Sequence, residues 1–194
     1  AAETSVVQMQ VVSWTQNATD DVYAPTPELL ATPPIFTLPP GGKQVVRIGL
    51  RRAPDPAREL PYRLFLQEIP PPMPADFQGM RMTLRIGVPV FVAPLAKPNT
   101  DLHWSAASAS DGVVTVGLAN VGAAHVKIAS LELIAPDASE LSETKQVAAY
   151  VLPGQRREWS LKATRLVSTG SRIRIKARTD RNLDLTTELT VGAP

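Results

Sequence analysis

His103 and His125 are the only two histidines among 194 residues, and they are the natural candidates for proton transfer or metal ligation. They lie far apart in the chain, and no cysteine or close Asp/Glu cluster surrounds either at ligand spacing. Both read as ordinary strand-end or surface histidines. Cysteine is absent, which excludes a thiolate nucleophile, a thiolate zinc site and a disulfide scaffold, and fits a reducing or an oxidising compartment equally. Serine is plentiful, yet no G-x-S-x-G elbow occurs. The glycines of "LPPGGKQ" and "LPGQR" read as hairpin turns, matching neither G-x-x-x-x-G-K-[ST] nor G-x-G-x-x-G. Glu68 and Asp76 offer a carboxylate pair for glycoside hydrolysis, but any two acids in a β protein would pass that test. These residues support no enzyme and call for no metal or cofactor.

The chemistry the chain does offer is apolar binding. In "MRMTLRIGVPV", residues 80–90, Met80, Met82, Leu84, Ile86, Val88 and Val90 fall on one face at a period of two, with Arg81, Thr83, Arg85, Gly87 and Pro89 on the other. The run exceeds the usual five or six residues of a strand. Such alternation also describes an interior strand packed within its own sandwich, so the pattern alone leaves both readings open. Proline within a strand is confined to edges and ends, so Pro89 points to an edge or strand end.

The elements around this stripe are β-strands. An apolar fraction of 44% with 20% charged residues is an ordinary globular balance, and 19 prolines along the whole length work against long helices. The first block predicts strands over 5–15, 35–38, 44–51, 61–68 and 80–92, separated by proline- and glycine-rich turns. "FVAPLAKPNTD" then breaks the pattern as a linker near 95–98, giving domains over 1–95 and 98–194. The second block predicts strands over 101–107, 112–120, 126–134, 147–151, 157–162, 172–179 and 183–191, the spacing of a β-sandwich. "PDASELSE", 136–143, is read as room for one helical turn. A net charge of +2 is too small to argue for nucleic acid, although a pI near 9.1 leaves room for a local anion-binding patch. No stretch approaches the roughly 18 apolar residues of a membrane-spanning helix. No signal peptide is present, and the chain enters a strand almost at once, which suggests processing or truncation.

Three pieces in order, "ATPPIFTLPPGGKQVVRI" (31–48), "YRLFLQEIPPP" (62–72) and the alternating strand ending in "FVAP" (91–94), resemble the periplasmic pilus-assembly chaperones of the chaperone–usher pathway. "VTVGLANVGAAHVKIASLEL" and "YVLPGQRREWSL" are similar to the second immunoglobulin-like domain of that family, so the resemblance covers nearly the whole chain. "VVQMQVVSWTQ" and "YRLFLQEIP" resemble most the branch that assembles archaic, spore-coat-U-like pili. The resemblance implies an all-β protein of two immunoglobulin-like sandwiches in tandem, with the first two strands of the first domain, about 20 to 30 residues at normal strand lengths, missing from this chain.

It also implies a function. A periplasmic chaperone of this kind lends the long last strand of its first domain to a pilus subunit that lacks a strand, then releases the subunit at an outer-membrane usher. Met80, Met82, Leu84 and Ile86 are the residues the resemblance assigns to subunit pockets, while Val88 and Val90 are expected in the domain's own core. In the family an Arg on the first strand and a Lys late in the donor strand hold the subunit's carboxylate. Here Pro89 stands at the Lys position and the first strand is missing, so Arg63 is the first candidate anchor, followed by Arg85 and Arg81. The alternative for all three is a solvated charge on a polar strand face. Glu68 matches the family's acidic residue near the domain hinge, although its usual Arg partner is replaced by Ala93. The proline loop 69–79 is either a rigid docking element or a plain hairpin connection. The expected partners are thus a pilus subunit and an usher, with self-association through the free donor edge a further outcome. A surface adhesin or carbohydrate-binding sandwich is the rival reading, and it would need exposed aromatic platforms. Trp14, Trp104 and Trp159 instead fall within predicted strands.

Overall fold

The computed structural model describes residues 3–73, 78–108 and 112–193. Asp76 and part of the 69–79 loop lie outside them. The described residues form strands without a helix, so no helix is long and apolar enough to cross a membrane. In chain order the strands are β1 (Ser5–Gln16), β2 (Asp21–Pro25), β3 (Leu29–Thr32), β4 (Ile35–Leu38), β5 (Arg47–Leu50), β6 (Leu60–Ile69) and β7 (Arg85–Val92). There follow β8 (Leu102–Ser108), β9 (Val113–Asn120), β10 (Val126–Ile134), β11 (Lys145–Val151), β12 (Arg156–Lys162), β13 (Arg172–Thr179) and β14 (Asp184–Thr190).

The chain divides into two compact units. The first comprises 1–14, 23–55 and 60–92, and the second 15–22, 56–59 and 93–194. The break at Val92/Ala93 falls close to the "FVAP" motif, but two short earlier segments join the second unit, which the proline pattern does not announce.

In the first unit the main sheet runs β2-β1-β6-β7, with β4 also pairing with β1, and β3 pairs with β5 in a separate ribbon. β5 spans four residues, fewer than 44–51 predicts, because its partner β3 offers only four, Leu29 to Thr32. β2 and β3 are absent from the sequence reading: "DVYAP" shows no alternation and ends in proline, and "LLAT" is too short to reveal a period. The core face carries Met9 on β1 and Tyr62 and Leu64 on β6, all buried.

The second unit is a sandwich of a four-stranded sheet, β11-β10-β13-β14, and a three-stranded sheet, β12-β9-β8. Alternate residues of β9 (Val114, Val116, Leu118) and β13 (Ile173, Ile175, Ala177) fill its core, each at most 1% exposed. Burial of one such aliphatic side chain contributes about 1.5–3 kcal/mol, which makes this core the anchor of the unit. The fully buried side-chain amide of Asn120 is satisfied at every atom: Nδ2 donates to Ala124 O (2.8 Å) and Val151 O (3.0 Å), and Oδ1 accepts from Gly122 N–H (3.0 Å). Residues 15–22 join this unit through Gln16, which accepts Leu152 N–H (2.9 Å), and through Asp21, which pairs with Arg157 (2.7 Å). The helical turn expected over 136–143 is absent. Asp137 instead accepts both the N–H (3.0 Å) and the Oγ (2.6 Å) of Ser139, and Ala138 takes a positive φ of 66°, which closes a tight turn.

Candidate functional site

Among the described residues β7 pairs on one side only, with β6, so it is a sheet edge. This is the position Pro89 requires, since an edge tolerates the missing donor. Register fixes the faces, because residues directly opposite in an antiparallel pair share one. Val90, Val88 and Ile86 stand opposite Tyr62, Leu64 and Leu66, on the core face. Pro89, Gly87 and Arg85 stand opposite Arg63, Phe65 and Gln67, on the other.

The strand is shorter than 80–92. β6 reaches Ile69 and is followed by Pro70, Pro71 and Pro72, which have no N–H with which to extend the ladder, so β7 begins only at Arg85. The apolar stripe nevertheless continues past the end of the pairing, and its exposure rises along it, from 39% at Val88 through 61% at Leu84 to 87% at Met80. Ile86 and Met82 are exposed as well. Val90 is half-buried, but Val88 is exposed and corrects the expectation that both belong to the core. It packs beside buried Leu64 on one side and has no neighbouring strand among the described residues on the other.

Glu68 does not sit near the linker. It lies at the far end of β6 from Leu60 and Val92, opposite Val7, and its partners are all in the first unit. Ser5 Oγ donates to its Oε1 (2.8 Å) and Leu84 N–H to its Oε2 (3.3 Å), while Glu68 N–H donates to Leu84 O (2.9 Å). The hinge role is therefore replaced by a local one, holding the chain at Leu84 in line with β7 after the regular pairing ends. The Ser5 hydroxyl and then the Leu84 amide hold the Glu68 carboxyl below the usual carboxylate range. A carboxylate depressed in the folded state contributes its stabilisation above its ordinary range, and that contribution is lost as pH falls through the folded value. Glu68→Ala should lower the hydrogen-exchange protection of the Leu84 amide severalfold near neutral pH, and Glu68→Gln, which keeps an acceptor, should restore much of it. Acidification leaves a neutral carboxyl that still offers an acceptor, so it should bring the wild-type protection factor down toward that of Glu68→Gln; a wild-type value flat from neutral to acid pH would remove the charged clamp.

The three arginines separate. Arg63 and Arg85 lie on the other face, which also carries buried Val12 and Trp14, with Arg63 Cζ 4.3 Å from the Trp14 ring centroid and Arg85 Cζ 4.1 Å from that of Phe65. Gly87 makes room for this arrangement, since a Cβ there would lie 3.1 Å from Phe65 Cε1. Arg63 is half-buried and stands directly opposite Pro89 across the ladder. Arg81 instead donates to Pro71 O (2.6 Å), at the loop.

Neither histidine joins this region. His103 pairs with Asp101 (3.0 Å) at the surface, and His125 Nδ1 lies 2.7 Å from Glu59 Oε1 in the second unit. Among the described residues no group of three or more His, Cys, Asp and Glu side chains is placed to hold a metal ion. Sequence reasoning missed Glu59, whose partner is 66 positions away, and it missed the chain from Tyr62 through Glu28 to Arg52. There Tyr62 Oη donates to Glu28 Oε2 (2.7 Å) and Arg52 Nη1 to Oε1 (2.6 Å). Burial first, and then the Glu28 hydrogen bond, push the Tyr62 hydroxyl up to about 12. The tryptophans form no exposed platform: Trp14 is buried, and Trp104 and Trp159 pack against the second core.

Residues 1–97, half of the chain, match the family model described as pili and flagellar-assembly chaperone, PapD N-terminal domain. The fold is similar to that of the chaperone–tip adhesion subunit pre-assembly complex CsuC–CsuE from archaic chaperone–usher Csu pili of Acinetobacter baumannii. That match has 20% identity over 98% of this chain and 87% of that one, with a TM-score of 0.65. It is also similar to the class 5 fimbriae chaperone CfaA (13% identity, 100% and 88% covered, TM-score 0.59). A third match is to the Salmonella enterica SafA pilin in complex with the SafB chaperone (18% identity, 98% and 84% covered, TM-score 0.58). No curated protein matches the chain in sequence.

Proposed function

The chain belongs to the pili and flagellar-assembly chaperone family of the PapD N-terminal domain, and we propose that it captures a secreted pilus subunit in the periplasm by donating β7 and the stripe before it as a missing strand. The observation that carries this reading is an apolar stripe on a sheet edge that becomes steadily more exposed as it leaves the sheet. An edge strand has unpaired main-chain donors and acceptors for generic affinity, and alternate side chains then fill partner pockets. Met80, Met82, Leu84 and Ile86 are the pocket residues, and the two methionines suit several related subunits because their unbranched side chains adapt. The structural matches include chaperones held with a tip adhesion subunit and with a pilin, which supports a subunit as the partner.

Arg63 is the anchor for the subunit's terminal carboxylate. Its guanidinium carbon lies over the Trp14 ring, which limits the freedom it would lose on binding. Release follows when another subunit's extension replaces β7 at the usher: one strand takes the place of another with similar hydrogen bonding, and better packing drives the exchange. No nucleotide, metal or covalent step enters. Without a subunit the free edge of β7 is the surface through which two copies would associate.

The test is affinity capture of the tagged protein from its host periplasm, identification of the bound protein by mass spectrometry, and hydrogen exchange on the purified complex. A small β-rich subunit held one to one, with new protection at 84–90, is the expected result. A complex that leaves β7 unprotected would overturn the reading. Arg63→Ala should weaken capture about 10- to 100-fold, the range of a charge-assisted hydrogen bond. Blocking the subunit's terminal carboxylate as an amide should cost the same, and the two changes together should cost no more than either alone.

A further inference from the structure

Sulfur enters this chain only through its four methionines, since there is no cysteine to compete for oxidants. Their placement is uneven. Met9 is 8% exposed on the core face of β1, opposite Leu66, whereas Met73, Met80 and Met82 are 62%, 87% and 85% exposed. Two of the three open thioethers therefore continue the stripe of Leu84 and Ile86, and the third lies in the loop before it.

We infer that Met80 and Met82 are a site of reversible sulfoxidation, through which oxidants of the peroxide class weaken subunit capture. The inference rests on the strand-donation reading. A thioether lone pair attacks one oxygen of hydrogen peroxide; the S–O bond forms as the O–O bond breaks, sulfur gives up two electrons, and the other oxygen leaves as water. A dithiol reductant reverses the step, returning the thioether with one disulfide and one water. The product is polar and chiral, with a strong acceptor oxygen where the stripe presents apolar surface. Seating that oxygen in an apolar pocket without a donor weakens binding about tenfold per side chain, and on the order of a hundredfold for the pair. Exposure also sets the timing: docking covers the thioethers, so the free chaperone is sensitive and the loaded one protected.

The experiment treats the purified full-length protein with hydrogen peroxide, maps sulfoxides by peptide mass spectrometry, and then measures binding of the purified subunit identified by capture. Met80 and Met82 should oxidise well ahead of Met9, and binding should fall at least tenfold with no change in the thermal unfolding midpoint. The double variant Met80→Leu, Met82→Leu should bind equally before and after treatment, each sample being compared with its own untreated control. Met73→Leu should remain as sensitive as wild type. Oxidation of Met80 and Met82 that leaves binding unchanged would overturn the inference and spare the strand-donation reading. Untreated protein that fails to bind through β7 would sink that reading and the inference with it.

Discussion

Leu84→Arg is expected to abolish subunit capture while leaving the chaperone folded. Leu84 is 61% exposed, so an arginine there projects into water, and a surface change of this kind moves stability by no more than about 0.5 kcal/mol. Its bonds to Glu68 run through backbone N–H and C=O and do not depend on the side chain, so the local alignment with β7 survives. On the strand-donation reading the same position enters an apolar pocket of the subunit. A guanidinium buried there without a partner costs about 3–5 kcal/mol, more than a hundredfold in affinity. Capture assays paired with thermal unfolding check both halves. A variant that folds and still holds the subunit as tightly as wild type would overturn donation of the stripe. Arginine is the informative choice, because Leu84→Ala would remove contact area without introducing a charge and its smaller loss would fit either reading.

How much of this was legible in the sequence depended on whether a feature's cause was local. β10 and β13 match their predicted limits to the residue, because their alternation is long and turn residues bound both ends. The stripe from Met80 to Val90 was legible for the same reason, but its division into a paired and an unpaired part was not. That division comes from β6 running out at three prolines twelve to fourteen positions upstream of Leu84, a fact about the partner strand. β2 and β3 were missed because four- and five-residue strands carry too few alternations to be told from loop. Glu68 was read by its place in a motif, and only the register of β6 shows it at the end remote from Val92. Arg63 was named from the motif as well, yet nothing in the spacing of residues 14 and 63 announces that a tryptophan supports it.

That support leads to the other large effect. Trp14→Ala should destabilise the first unit by about 3–5 kcal/mol, the usual cost of removing a large aromatic side chain from a packed site. Trp14 is 1% exposed, with its ring 5.8 Å from Phe91 and 6.3 Å from Tyr23, so the vacancy would open among side chains of β1, β2 and β7 at once. Whole domains are stable by only about 5–15 kcal/mol, and a loss of this size takes a large share of that margin. Hydrogen exchange should show β1, β6 and β7 losing protection while β9, β10 and β13, built on the separate core of the second unit, keep theirs. Equal loss in both units would mean that they do not unfold separately, and unchanged exchange would mean that Trp14 is not a packing centre. Trp14→Phe separates the two duties of the ring. Phenylalanine fills much of the volume and should recover most of the stability, but its smaller face holds a guanidinium less well. Trp14→Phe should therefore weaken subunit capture in the same direction as Arg63→Ala under conditions where the first unit is fully folded.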